Sequence, residues 1–193
     1  MAKKESTFLN MVLTLSLVSL LASGTVAFVY EATKGPKAAA DLAKKINAIR
    51  EVVPEFTNNP LDEEYRIVRE EGALVCYPAK NNGELVGTAV ETFSAQGFGG
   101  EIKLMVGLLP DGSIYDVAVI EHKETPGLGD KMEKKKSRFS EQFRGKNPGS
   151  FILSVKKDGG NVDGITAATI SSRAYCDAVR KAFLVYQGEG NGK

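Results

Sequence analysis

The sequence predicts an α+β fold: an antiparallel sheet with flanking helices, preceded by one N-terminal transmembrane helix. Three observations lead to this prediction. An uncharged apolar run lies near the N-terminus, short strand-like segments separated by turn signals fill the middle, and an amphipathic helical pattern ends the chain. Strands joined by tight turns pair in antiparallel order, and helices on either side of them in sequence can cover the sheet. The 193 residues suffice for one domain and an anchor.

The apolar run extends from Phe8 to Tyr30 and contains no charged residue. Its roughly 23 residues can cross a hydrocarbon core about 30 Å thick at about 1.5 Å per residue. A cleaved secretory signal would also show Lys3 and Lys4 before an apolar stretch, but this run is longer than a typical signal. We therefore expect a cytoplasmic segment over 1–7 and a retained single-pass helix over 8–30 in the cell (inner) membrane. The soluble domain should lie on the periplasmic or extracellular side.

The soluble domain is expected over 31–187, and Thr33–Pro36 should end the membrane helix because proline lacks the N–H that a helix interior needs. A second helical pattern runs from Ala40 to Arg50 and stops before Pro54. Turn signals at 81–83 and 110–113 separate strand-like segments. The predicted strands are Ala73–Tyr77, Leu85–Phe93, Lys103–Leu109, Ile114–Ile120 and Phe151–Val155.

The clearest helical pattern runs from Ser171 to Gln187, with apolar side chains on one face and charged side chains on the other. The glycine-rich tail over 188–193 is expected to be flexible. The charged segment from Lys131 to Arg138 is interpreted as a solvated helix or loop.

Composition excludes several classes of function. The formal net charge is +1, and the basic residues are interleaved with acidic ones, so the chain has no basic patch for nucleic acid. Only two cysteines and one histidine occur, too few for a zinc or iron–sulfur site built by this chain alone, and we expect no metal site. Cys76 and Cys176 could form a disulfide outside the cytoplasm or be two buried thiols, and the sequence leaves both open.

The segment Asp163–Ser172 places small residues and four hydroxyls directly before the C-terminal helix. Small side chains let a ligand approach the backbone, and free N–H groups at a helix start favour a phosphate. The alternative is that the hydroxyls only cap the helix. The candidate residues are Thr166, Ala167, Ala168, Thr169, Ser171 and Ser172.

A second candidate loop follows the strand that ends near His122. It carries Leu128 between two glycines, where an apolar side chain on an open loop could cover a planar ring, although a plain turn would look the same. Its candidate residues are Glu124, Thr125, Gly127, Leu128 and Gly129.

Five segments, in this order and after an N-terminal anchor, carry a likeness that extends over most of the chain. They are Gly97–Gly100, Met105–Gly107, Asp111–Gly112, His122–Gly129 and Asp163–Ser172. Together they resemble the FMN-binding domain shared by the G subunit of the Rnf ion-translocating electron-transport complex and the C subunit of the sodium-pumping NADH:quinone oxidoreductase. The length of the chain favours the G subunit, and the resemblance makes 31–187 the FMN-binding domain.

The resemblance implies a flavoprotein subunit with no complete active site of its own. In that family the last threonine of the Ser/Thr-Gly-Ala-Thr element carries FMN through a phosphoester, which by position is Thr169. A separate flavin transferase would attach the cofactor, with FAD as donor. The other residues of the two loops would contact the flavin, and His122 is either a flavin neighbour or a structural residue. Ala167 departs from the family, which usually has glycine there, and alanine would be strained if φ were positive.

The resemblance also implies partners. These are the other integral membrane and redox subunits of a complex that passes electrons between reduced ferredoxin and NAD and translocates Na⁺ or H⁺. Two alternatives remain open from the residues: a membrane-tethered binding module without flavin, and a stand-alone FMN-carrying reductase domain.

Overall fold

The computed structural model of the protein describes residues 7–69 and 72–190. Two long helices enclose five strands in sequence, and the predicted α+β class is confirmed. The helices are α1, Phe8–Val52, and α2, Thr169–Gly190; the strands are β1, Tyr65–Arg69, β2, Gly72–Asn81, β3, Glu84–Gly97, β4, Gly100–Leu108, and β5, Ile114–Glu121. Three short 3₁₀ helices, Gly129–Met132, Phe139–Phe143 and Lys156–Asp158, lie between β5 and α2.

The five strands form one antiparallel sheet in the order β1-β2-β3-β4-β5, so each strand pairs with its neighbour in sequence. The turn between β2 and β3 has positive φ at both central residues, 51° at Asn82 and 89° at Gly83. Asparagine followed by glycine tolerates those dihedrals, which suit the twist of a two-residue hairpin. The predicted hairpin at 81–83 is therefore confirmed.

Each face of the sheet carries its own hydrophobic cluster because successive strand residues point to opposite sides. On one face Val90, Leu104 and Val106 pack with Tyr175 and Val179 of α2. The other face is covered by the end of α1, whose buried residues belong to a second cluster. That cluster contains Ala48, Ile49, Val52, Val53, Tyr77, Ala79, Ala89, Met105 and Ala118.

Helix α1 is the one helix in the described residues that is long and apolar enough to cross a membrane. The expectation that Thr33–Pro36 ends it is wrong, since Pro36 lies inside the helix. Proline removes one hydrogen bond, but alanines on both sides favour the helix and leave the rest of its ladder intact. By internal contacts the chain divides into two compact units, one up to Ala43 and one from Lys44 on.

Three other expectations need correction. The edge strand β1 is not among the predicted strands, because a short segment rich in arginine becomes a strand only through its pairing with β2. Phe151–Val155 is not a strand: its backbone makes only one isolated bridge, Val155 to Val162, within a compact turn region. Helix α2 extends past Gln187 to Gly190, so part of the expected tail is helical, while 191–193 lie outside the described residues, as do 1–6.

The charged segment Lys131–Arg138 is also less solvated than expected. Met132 is fully buried, and Lys134 makes ion pairs at 2.7 Å with Asp116 of β5 and with Glu51 of α1. A lysine that bridges two carboxylates can hold a segment against the sheet while its apolar neighbour fills the core.

Gly107 lies where the sheet closely approaches the backbone at the end of α1. A Cβ at Gly107 would overlap the carbonyl oxygen of Val52, so we expect Gly107→Ala to destabilise the domain by roughly 2–4 kcal/mol. Gly164→Ala is the matched control, since its Cβ would have no neighbour closer than 3.7 Å. Pulse proteolysis in urea measures both, and equal stabilities for the two variants would contradict this packing.

Candidate functional site

The chain enters α2 through a tight turn. The N–H of Ala168 donates to the carbonyl of Ile165 at 3.0 Å, and Ala167 has φ = 61°. A turn with positive φ only at its third residue is of the type II kind, which strongly prefers glycine there. The first helical hydrogen bond follows at once, from the N–H of Ser172 to the carbonyl of Ala168 at 3.0 Å.

The four hydroxyls of this segment have different environments. Ser172 Oγ accepts from the N–H of Ile165 at 2.8 Å and donates to the carbonyl of Ala168 at 2.9 Å, so it stabilises the turn. Ser171 Oγ donates to Glu124 Oε2 at 2.6 Å. Both serines are buried, whereas Thr169 is half-buried and Thr166 is exposed. Only the two threonines are therefore accessible to another molecule.

The carboxyl group of Glu124 joins three segments of the chain. Besides the bond from Ser171, its Oε1 accepts from the backbone N–H of Gly99 at 3.1 Å. Glu124 is only 6% exposed. A Cβ at Gly129 would lie 2.5 Å from Glu124 Oε2, and a Cβ at Gly97 would lie 2.6 Å from Oε1. Gly97, at the end of β3, and Gly129, in the loop after β5, thus leave the space that this carboxyl group occupies.

The loop after Glu124 contains a second type II turn. The N–H of Leu128 donates to the carbonyl of Thr125 at 3.1 Å, with Pro126 at the second position and Gly127 at the third, where φ is 79°. Proline and glycine are the residues that these two positions prefer. The turn leaves the side chain of Leu128 40% exposed, consistent with the expectation of an apolar side chain on an open loop.

The two turns and the start of α2 surround a cavity of about 320 Å³. Its lining residues are Phe98, Glu124, Thr125, Leu128, Gly129, Ala167, Ala168, Thr169, Ile170 and Ser171. Three of these are apolar side chains that remain accessible: Phe98 is 70% exposed, Ile170 47% and Leu128 40%. Exposed apolar side chains around one cavity are typical of a site that binds a ligand with an apolar part.

The structure brings eight of the eleven sequence-predicted site residues to this cavity. Thr166, Gly127 and Ser172 do not line it, because Thr166 lies on the exposed side of its turn, Gly127 shapes the loop, and Ser172 is buried behind the helix start. Phe98 and Ile170 line the cavity and are not among the predicted site residues. Phe98, like Leu128, is an apolar residue between glycines, and this signal could have identified it.

The start of α2, which lines the cavity, suits an anion. In the described part of the chain, no backbone oxygen accepts from the N–H groups of Thr169, Ile170 or Ser171. Free N–H groups at a helix start, with the positive end of the helix dipole, bind phosphate. These donors and the accessible apolar side chains that line the cavity fit a molecule with a phosphate and a planar ring, such as FMN.

One turn further along α2, Arg173 donates to both carboxylate oxygens of Asp158 at 2.7 Å. These hydrogen bonds lower the pKa of the Asp158 carboxyl. The carboxylate and the Arg173 guanidinium therefore form an ion pair on the protein surface. The cysteines do not belong to the site: both are buried thiols, and burial raises the pKa of Cys176 to about 12. A protonated buried thiol is a poor nucleophile.

Comparisons with known proteins show the family to which the chain is similar. The family described as the FMN-binding domain matches residues 97–183. The chain is 35% identical over 184 residues to the G subunit of the ion-translocating oxidoreductase complex of Shewanella piezotolerans, covering 90% of this chain and 87% of that one. The protein of the same name from Haemophilus influenzae is 36% identical, covering 89% and 86%, and that from Pseudomonas aeruginosa is 33% identical, covering 96% and 91%.

Ala167 should be a strained position, because alanine at positive φ costs about 1–2 kcal/mol. We expect Ala167→Gly to raise the free energy of unfolding by up to about 1 kcal/mol, since glycine's larger unfolded-state entropy offsets part of the relief. Ala167→Val should lower it, because a β-branched side chain fits this conformation worse. Urea unfolding followed by pulse proteolysis measures both, and a less stable glycine variant would contradict the strain.

Proposed function

The chain belongs to the family of the G subunits of ion-translocating oxidoreductase complexes, and from this premise we propose that it carries electrons through an FMN attached covalently to Thr169. The bond would be a phosphoester between Thr169 Oγ1 and the FMN phosphorus. The observation that carries the proposal is the position of this hydroxyl, which lines the cavity at the start of α2 and has no hydrogen-bond partner among the described residues.

The neighbouring hydroxyls are less suited to this attachment. Ser171 and Ser172 are buried and already hydrogen-bonded to Glu124 and to the turn. Thr166 is accessible but lies outside the cavity. A phosphate on Thr169 would also lie near the free N–H groups at the start of α2, which typically favour a nearby anion by about 0.3–1 kcal/mol. That contribution orients the phosphate but is too small to retain a cofactor without a covalent bond.

Attachment needs a second protein because a threonine hydroxyl is a poor nucleophile by itself. We propose a flavin transferase that uses FAD as donor. The Thr169 oxygen would bond to the phosphorus of the FMN half, the pyrophosphate bond would break, and AMP would leave with the electron pair while the hydroxyl proton passes to a base of the transferase. The exposed turn around Thr166 and Ala167 leaves the acceptor accessible for such a reaction.

The bound flavin would supply one- and two-electron redox chemistry, and the protein would supply position and environment. Leu128, Phe98 and Ile170, which line the cavity with accessible apolar side chains, would contact the planar ring and reduce its exposure to water. Glu124 would hold its own loop, the turn at Gly99 and the start of α2 in one arrangement around the cofactor. Thr125, Gly129, Ala167 and Ala168 would form the close backbone contacts.

We place this activity in a membrane complex. The relatives are named as subunits of an ion-translocating oxidoreductase complex, and α1 is suited to anchor the chain beside other integral membrane and redox subunits. The complex would pass electrons between reduced ferredoxin and NAD and move Na⁺ or H⁺. The soluble domain would lie on the periplasmic or extracellular side, where a covalent bond retains a cofactor that is otherwise scarce.

The attachment site is tested by three variants produced together with the transferase. Thr169→Val keeps the shape and removes only the oxygen, so it should abolish covalent FMN while the domain still folds. Thr169→Ser should keep the cofactor, and Thr166→Val is the matched control that should also keep it. Intact mass and peptide mapping locate the flavin. FMN on Thr166, Ser171 or Ser172, or retained by Thr169→Val, would show the assignment to be wrong.

The topology is tested by adding protease to intact spheroplasts that contain the full chain. The domain from Lys44 on should be digested from outside, because we expect it to be exported. A cytoplasmic marker protein must stay intact in the same sample. Complete protection of the domain until the membrane is permeabilised would place it in the cytoplasm instead.

A further inference from the structure

Two cavities are lined by residues of the segment from His122 to Glu124. Glu124 lines the smaller cavity at the start of α2. His122, two residues earlier, lines a second cavity of about 510 Å³, together with Lys44 and Glu51 of α1, Ala118 and Ile120 of β5 and other residues. The segment therefore contributes both to the proposed flavin site and to a second cavity.

The hydrogen bonds of His122 define its protonation state. Its Nδ1 accepts from the backbone N–H of Glu124 at 3.1 Å, so Nδ1 carries no proton in this arrangement. The proton of the ring must then be on Nε2, which donates to Glu133 Oε1 at 2.7 Å. Glu133 thus selects the tautomer that lets His122 hold the Glu124 backbone.

From these contacts we propose that His122 is a positioning residue for the flavin site. It acts through Glu124, whose backbone it fixes from one side while the Glu124 carboxyl group binds Gly99 and Ser171 on the other. The effect of His122 on the cofactor rests on the proposed function. The effect of His122 on the loop follows from this chain's own residues.

The neutral ring is required for this role. A proton on Nδ1 would place two donors, Nδ1–H and the N–H of Glu124, against each other at a distance where one hydrogen bond now forms. The Glu124 backbone would have to move, and the carboxyl group would move with it. The acceptor at Nδ1 therefore holds the Glu124 backbone, and a side chain without this acceptor would release the loop.

Charged groups of both signs lie around the ring. Glu133 is in contact, and Lys136 lies 3.7 Å from the same Glu133 oxygen and 2.8 Å from Asp130. The remaining charged groups around the second cavity are Lys44 and Glu51 of α1, Glu121 of β5, and Lys134 and Lys135. Lys123 follows the histidine in sequence, and the backbone N–H of Glu124 is the donor in contact with Nδ1.

Two substitutions at His122 separate positioning from packing. His122→Asn places an oxygen near the position of Nδ1, so it keeps the acceptor for Glu124 but cannot become charged. His122→Phe keeps a ring of similar volume and removes both hydrogen bonds. Glu133→Gln is the matched control: its amide oxygen can still accept from Nε2, so this variant should match the wild type.

The first measurement is amide hydrogen exchange of the full chain in detergent without flavin. The wild type and His122→Asn should protect the Glu124 amide equally, because both offer it an acceptor. In His122→Phe the protection factor of this amide should fall roughly threefold to tenfold, the usual worth of one hydrogen bond.

The second measurement is the midpoint potential of the flavinylated protein. The potential of His122→Asn should stay near that of the wild type, and that of His122→Phe should differ from both. Equal protection of the Glu124 amide in all three proteins, or a His122→Asn variant that loses protection as His122→Phe does, would overturn the proposal. A chain that carries no FMN would refute the proposed function and leave the amide-exchange test intact.

Discussion

The arrangement of the candidate site depends on one buried carboxyl group, that of Glu124. Its two oxygens accept hydrogen bonds from Gly99, which follows β3, and from Ser171 in the first turn of α2, while its backbone belongs to the loop after β5. A buried carboxyl group without partners is strongly unfavourable, so the three segments must stay together to satisfy it. Segments that are distant in sequence thereby form one cavity wall, and movement of the Glu124 loop would leave polar groups unsatisfied in the other two.

The two turns at the cavity require the same backbone conformation at their third position, and different residues adopt it. Each is a type II turn that requires positive φ there, and Gly127 adopts it without strain while Ala167 does not. Strain at a turn persists only where surrounding contacts impose the conformation. Around Ala167 those contacts are the two hydrogen bonds of Ser172 Oγ, to Ile165 and Ala168, which fix the turn from inside. The buried serine therefore holds the backbone that presents the accessible threonine.

Helix α2 can serve as a platform because polar and apolar contacts hold it in register on the sheet. Thr92 Oγ1 of β3 donates to the carbonyl of Ala178 at 2.9 Å, and Ser94 Oγ donates to Asp177 at 2.7 Å. Between them and the helix start, Tyr175 is fully buried against Phe139 and Phe143, with ring centroids 5.1 Å apart in each pair. Hydrogen bonds specify the position along the helix axis and ring packing specifies its rotation, so the start of α2 has a defined place at the cavity.

The sequence alone determined the elements whose signals are local. The uncharged apolar run indicated the long N-terminal helix, and Asn82 and Gly83 indicated the hairpin. Small residues with hydroxyls before an amphipathic pattern indicated the start of α2. The order of the motifs also indicated the family.

Tertiary structure decided the features that depend on partners distant in sequence. Strand β1 forms because β2 pairs with it, and α1 continues through Pro36, although a local rule would end the helix there. Four hydroxyls are equivalent in the sequence, but burial by Glu124 and by the turn leaves only two threonines accessible, and the cavity includes one of them, Thr169. The physical reason is that backbone preferences act over a few residues, whereas burial and hydrogen-bond satisfaction are properties of the assembled chain.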